Sequence, residues 1–235
     1  MVPLLHLFEF SYANGFLFFD RSGALSIRLQ GAFPGLAYKN SAVDQRDFVR
    51  STDEIDLFFG IAVSRIQSFA PFQPDFPSVA GDFLRVVVDE FQIEELKEFR
   101  FRYVLGRPCG SVAEARSLLW PLVPEETKSK LASLAEPIHW QALQAEFTIG
   151  NLACQSRFAV LDLPVHRSQA TAKIAAGKVV PHITCHLDFR GFAPVAVSEF
   201  DAVAFMTNVR QKHTDEIISK LAPHLVDHDF TGTGT

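Results

Sequence analysis

The stretch from His139 to Leu163 reads HWQALQAEFTI, then Gly150-Asn151, then LACQSRFAVLDL. Both arms are strand-like, and the Gly-Asn pair between them is a tight-turn signal. Together they predict a long antiparallel hairpin. A further strand follows at PHITCHLDF, residues 181–189, after a small, polar run over 164–178 that reads as a loop or strand extension. LKEFRFRYVLG, residues 96–106, alternates as well: Phe99, Phe101 and Tyr103 face one way, Arg100 and Arg102 the other. Strands that follow one another with no helix between them pair antiparallel. The expected class is therefore α+β with mainly antiparallel sheets.

Toward the N-terminus the reading is strand-rich too. Residues 3–10 and 15–19 flank Ala13-Asn14-Gly15, a hairpin signal. After a turn at Asp20 to Gly23, ALSIRL places Leu25, Ile27 and Leu29 in alternation, which predicts a half-wet strand. AFPGLAYKN reads as a loop and Ala42 to Arg50 as a short helix; residues 54–69 read as a strand bent at Gly60. Ser78 is placed to cap a helix through Phe91, with Val79, Phe83, Val86, Val87 and Phe91 as its buried stripe. Residues 111–119 and 125–135 read as helices. Ser198 caps a last helix to about Leu221, with Val203, Met206, Val209, His213, Ile217 and Leu221 along one side. Each half thus sets its strands against one long helix. That predicts two lobes, 1–120 and 121–228, and a flexible tail over 229–235.

Composition limits the function classes. A chain of 235 residues with 48% hydrophobic and 21% charged residues can bury a substantial core. Twenty-three Phe against two Trp and three Tyr point to a core of rigid rings. A net charge of −5 gives no global attraction to phosphate backbones, so nucleic acid is not an expected partner. The chain lacks a basic leader and any run of 18 apolar residues, so neither a signal peptide nor a membrane span is expected. Cys109, Cys154 and Cys185 are odd in number and form no CxxC, which predicts free core thiols and a cytoplasmic location.

The polar side of PHITCHLDF carries His182, Thr184, His186 and Asp188. On a strand, His182 and His186 stand about 13 Å apart, too far to share one metal ion, whereas His186 and Asp188 could do so. A half-wet strand explains the pattern without a metal, and no metal or cofactor is expected. Arg100 and Arg102 could clamp a phosphate or carboxylate. With His186 and Asp188 they form the expected ligand-binding set. There is no G-x-S-x-G, and Gly106 to Gly110 lacks the Lys-Ser/Thr of a phosphate loop. His139 and His213 read as core or interface residues.

Two resemblances attach to these residues. Pro181-His182-Ile183-Thr184 resembles the His-x-Thr motif of two-histidine phosphoesterases, which cleave cyclic or RNA-like phosphodiesters with one His as base and one as acid. The resemblance implies His182, Thr184 and, from Val165-His166-Arg167-Ser168, His166 as the catalytic set. Over the whole chain, Phe99 to Val104, His186 to Phe189 and Ser198 to Leu221 resemble a sporadically distributed family of uncharacterised bacterial proteins. Leu105 and His186 stand where that pattern has Asn and Asp. This resemblance implies a bacterial, two-lobed α+β protein. The leading expectation is a non-enzymatic intracellular binding or protein-interaction module with a protein partner or a second copy of itself. The alternative is the two-histidine phosphodiesterase.

Overall fold

Strand alternation and turn chemistry assemble ten strands into one antiparallel sheet in a computed structural model that describes residues 1–13, 17–51, 54–69, 75–132, 142–165, 170, 174–192 and 194–221. The chain runs β1 (Val2–Tyr12), α1 (Leu17–Ala32), β2 (Ala37–Ala42), β3 (Gln45–Arg50), β4 (Ile55–Gly60), β5 (Val63–Ser68) and α2 (Phe76–Phe91). It continues with β6 (Glu95–Pro108), α3 (Val112–Leu119), α4 (Glu125–Ala132), β7 (Ala142–Ile149), β8 (Leu152–Pro164), β9 (Val179–Gly191), β10 (Val195–Ala196), α5 (Ala202–Asn208) and α6 (Asp215–Leu221). Strand order is β2-β3-β4-β5-β1-β6-β9-β8-β7, with β10 added beside β6. The expected α+β class with a large antiparallel sheet is what the chain adopts.

The order of elements recurs. A first strand, a helix, a meander returning beside the first strand and a helix occur once from β1 to α2. A comparable series, with two helices, α3 and α4, three further meander strands and the short β10 before its last helix, runs from β6 to α5. The two first strands, β1 and β6, pair antiparallel at the centre, so one sheet spans both sets. The expected boundary at residue 120 falls at a 3-10 turn, Trp120–Leu122, between α3 and α4.

One face of the sheet is aromatic because alternation puts rings there. Phe8, Phe10 and Tyr12 of β1 lie beside Phe101, Phe99 and Leu96 of β6. Against them come Phe83 and Phe91 of α2, with centroids 5.9 Å from Phe10 and 6.1 Å from Tyr12. The Phe200 ring lies tilted over Phe99, with centroids 4.4 Å apart. Such pairs contribute about 0.5–1.5 kcal/mol each beyond the area they bury. Gly191 pairs with Phe99, and a side chain there would collide with its ring. Gly81 does the same for the helices: a Cβ on it would lie 2.6 Å from Val203, so α2 and α5 cross in close contact. The Tyr12 hydroxyl, buried in this layer, donates to the Gly60 carbonyl at 2.7 Å, and burial pushes its pKa up.

Several local expectations are corrected. ALSIRL is helical, within α1, not a strand after a turn at 20–23. Leu25 and Leu29 satisfy both a period of two and a period of 3.6, and the buried Phe18 and Ser22 select the helix. Ile27, expected inside, is 72% exposed. Residues 37–42 and 45–50 are the hairpin β2–β3, where a loop and a helix were expected. The segment 54–69 is two paired strands turning at Ile61-Ala62, not one bent strand. The helix α2 begins at Phe76 after Asp75, two residues before Ser78. Ser198 lies in a 3-10 turn, and Asp201 caps α5 by accepting from Ala204 N at 2.9 Å. The last helix is broken by a π segment, Val209–Thr214, and Val203 on its expected buried stripe is exposed. The expected hairpin turn at 13–15 falls largely outside the described residues, and 17–19, expected in its second strand, open α1 instead; His139 and the tail over 229–235 also lie outside the described residues.

Candidate functional site

Alternation that turns Phe99, Phe101 and Tyr103 toward the helices turns Glu98, Arg100 and Arg102 to the opposite face. On β9 it does the same for His182, Thr184, His186, Asp188 and Arg190. Register then sets who meets whom. Arg102 lies directly across from Asp188, which is followed by Gln155 on β8 and Glu146 on β7. The next row runs Arg65, Glu9, Arg100, Arg190, Ala153 and Thr148.

Arg100 and Arg190 are therefore cross-strand partners of like charge, an arrangement that destabilises a sheet unless an anion intervenes. Asp188 is that anion. Its side chain is 5% exposed and accepts from Arg100 Nε at 2.8 Å and again from Arg100 Nη2. It also accepts from Arg102 Nη2 at 3.1 Å and from Arg190 Nη2 at 3.2 Å. Glu9 approaches Arg100 from the other side at 3.8 Å. The bond to Asp188 raises the pKa of Arg190. Arg100, Arg102 and Arg190 are balanced by Asp188 and Glu9, with Glu98 also acting on Arg190 and Glu146 two strands further along the Asp188 row. Beside it, Ala153 in the middle of its row leaves a depression of about 410 Å³. Glu146, Thr148, Gln155, Asp188, Arg190 and the exposed Phe192 border it.

His186, two residues before Asp188, has a structural partner. Thr184 Oγ1 donates to the Ala159 carbonyl at 3.2 Å and so has no proton left for His186. The 3.1 Å contact between them is then a donation from His186 Nε2, which fixes that proton on the ring. Burial, with Arg157 directly across on β8, lowers the pKa of His186 and keeps it neutral.

His182 is wholly buried, and its Nδ1–H donates to the Val180 carbonyl at 2.9 Å. Its Nε2 is buried without a hydrogen-bond partner among the described residues, and burial lowers its pKa. Thr184 is equally buried. The side of β9 expected to be wet is thus mostly enclosed. Neither His182 nor Thr184 reaches solvent in this arrangement, and His166 lies outside the described residues.

The structure therefore unites Arg100, Arg102 and Asp188 from the sequence-predicted set, with His186 on the same face bonded elsewhere. It adds Arg190 and Glu9. Arg190 was findable, since it shares Asp188's face two residues along; the approach of Glu9 depends on the β1–β6 pairing. Among the described residues no group of three His, Cys, Asp or Glu is placed to hold a metal ion. No helix among them is long and apolar enough to cross a membrane. The three cysteines are unpaired and buried, and burial raises the Cys185 pKa to about 12. No protein-family model and no curated protein matches the chain.

A third imidazole, after His182 and His186, had no sequence signal. His6 of β1 is 1% exposed, and neither of its nitrogens has a hydrogen-bond partner among the described residues. It lies between Phe76 at 5.1 Å and Tyr103 at 4.8 Å, with the Arg210 charge nearby. Desolvation first, then Arg210, lower its pKa to about 3.

Two outcomes follow for stability. Asp188→Ala leaves three guanidiniums without their shared anion and costs on the order of 3 kcal/mol in urea unfolding. Arg102→Ala or Arg190→Ala costs less than half of that, because Asp188 keeps two partners and these arginines are partly solvated. Acid is the second lever. Between about pH 6.5 and 3 the unfolded chain binds a proton at His6 that the folded chain refuses. Stability falls through that window by up to about 1.4 kcal/mol per pH unit from this residue. His6→Leu flattens the slope relative to wild type, as urea midpoints across the same range will show.

Proposed function

We propose that this protein is a non-enzymatic binding module, and that the arginine-bearing face of its sheet receives an anionic group presented by a protein partner. The observation that carries the reading is the convergence of Arg100, Arg102 and Arg190 on Asp188. A lone carboxylate needs one guanidinium to be neutralised; here three are held in fixed orientation around it. Arg100 is spent on Asp188 in a forked, largely buried contact. Arg190 also reaches Asp188 with two nitrogens, Nε at 3.4 Å and Nη2 at 3.2 Å, but it and Arg102 are each about one-third exposed. Guanidiniums fixed in this way suit the bidentate recognition of a carboxylate or phosphate, since their ordering has already been accomplished in the free protein.

The adjoining depression supports the same reading. Gln155 lies there with its amide donating to Glu146 at 3.0 Å, and Phe192 supplies an exposed ring at the rim. Arg and aromatic residues side by side are the composition of protein-interface centres. Three buried, unpaired thiols fit the cytoplasmic location that belongs to this proposal. The whole-chain resemblance to a sporadic bacterial family points the same way, toward a bacterial interaction protein.

Calorimetric titration of a hexaglutamate peptide at low salt tests the proposal. Wild type binds it, and Arg102→Glu with Arg190→Glu weakens binding at least tenfold while leaving the circular dichroism spectrum unchanged. Equal affinity for the double variant, or no heat with wild type at millimolar peptide, would sink it.

A further inference from the structure

Helix α1 presents its anomaly on the side away from the core. It buries Phe18, Ser22, Leu25 and Leu29, and exposes Phe19 and Ile27 by 59% and 72%. Between and after those two large apolar residues come Gly23 and Gly31, both exposed. A Cβ on either glycine would meet nothing within 4 Å. Glycine inside a helix costs roughly 0.5–1 kcal/mol relative to alanine, and nothing in this chain requires it at these two places. Two exposed hydrophobic side chains and two unneeded gaps share one ridge, at four-residue spacing: Phe19, Gly23, Ile27, Gly31.

We propose that this ridge is the contact of a twofold-symmetric homodimer. The order large, small, large, small complements itself when reversed. Laid antiparallel across a second copy, Phe19 faces Gly31 of the other helix and Ile27 faces its Gly23, and the twofold repeats both contacts. Ridges of residues four apart are the ones that interdigitate in the commonest helix crossing, and glycine lets the axes approach. The flanks agree with this register. Asp20 faces Gln30 of the other copy, an acceptor against a donor, and Ala24 faces Ser26. The position that would meet its own copy is Leu25, which points into the core, so no like charges oppose each other on the axis. Arg21 and Arg28 are turned to α2, where they bond Glu90, and stay clear of the ridge.

A second copy is favoured over a different protein because the complement of this surface is the surface itself. One helix crossing buries an area at the low end of specific interfaces, so the dimer is expected to dissociate in the micromolar range. The contact lies on the helix layer, away from the arginine face, and does not depend on the binding reading above.

Sedimentation velocity from about 1 to 200 μM will show a concentration-dependent dimer of the whole chain. Gly23→Leu and Gly31→Leu fill the gaps with a better helix former in open space. Each weakens dimerisation at least tenfold while thermal stability at low concentration is unchanged or higher. The pair Gly23→Cys with Ile27→Cys, oxidised, yields intermolecular disulfide dimers that neither single variant forms. A wild type that stays monomeric across the range, Leu variants that dimerise as wild type does, or cross-linking by either single cysteine variant would each overturn the proposal.

Discussion

Strand β6 lies between β1 and β9 at the middle of the sheet, and the alternation of its residues governs both of its faces. Phe99, Phe101 and Tyr103 enter the layer of rings under the helices, so Arg100 and Arg102 have to emerge on the other side. The hydrophobic term fixes this register. Sliding β6 by one residue would place two guanidiniums among phenylalanines and the rings outside, a reversal no surface interaction could offset. The placement of the arginines is thus enforced by the core beneath them.

Enforcement creates an electrostatic problem, and Asp188 answers it. With Arg100 opposite Arg190, the central ladder would carry a like-charge pair; a carboxylate two residues along β9 lies within reach of both and of Arg102. The carboxylate is itself desolvated, and its multiple charge-assisted bonds offset that cost. The result is a set of arginines held in fixed orientation around one carboxylate. His186 and Thr184, bonded to each other and to Ala159, show how the rest of this face is satisfied internally. The exposed parts of Arg102 and Arg190 differ from them in that respect.

Legibility in the sequence followed the strength and length of each pattern. The hairpin at Gly150-Asn151, the strands 96–106 and 181–189 and the helix through Phe91 were readable because alternation or helical periodicity extends over many residues with turn chemistry at the ends. ALSIRL was not, since six residues with Leu25 and Leu29 four apart fit either period, and Ser22 on the buried side and Ile27 on the exposed side invert the usual pattern. The candidate site was half legible. Which face Arg100, Arg102 and Asp188 occupy is a local property, but their meeting depends on β6 pairing with β9 across more than eighty residues. The enclosure of His182 and Thr184 was invisible for a related reason. A strand with polar residues on one side reads as half-wet, and only the completed sheet reveals that this side is covered.

The most direct test of the arginine face is the side-chain Nε–Hε spectrum of a 15N-arginine-labelled sample, assigned with Arg→Lys variants, with and without hexaglutamate. The account predicts an Arg100 signal that is slow to exchange and unmoved by peptide, because its Nε is bonded to Asp188 at 2.8 Å, and signals from Arg102 and from Arg190, whose Nε contact with Asp188 is longer at 3.4 Å, that shift with saturation. Shifts confined to other arginines, or an Arg100 signal that exchanges as fast as that of a free side chain, would contradict it.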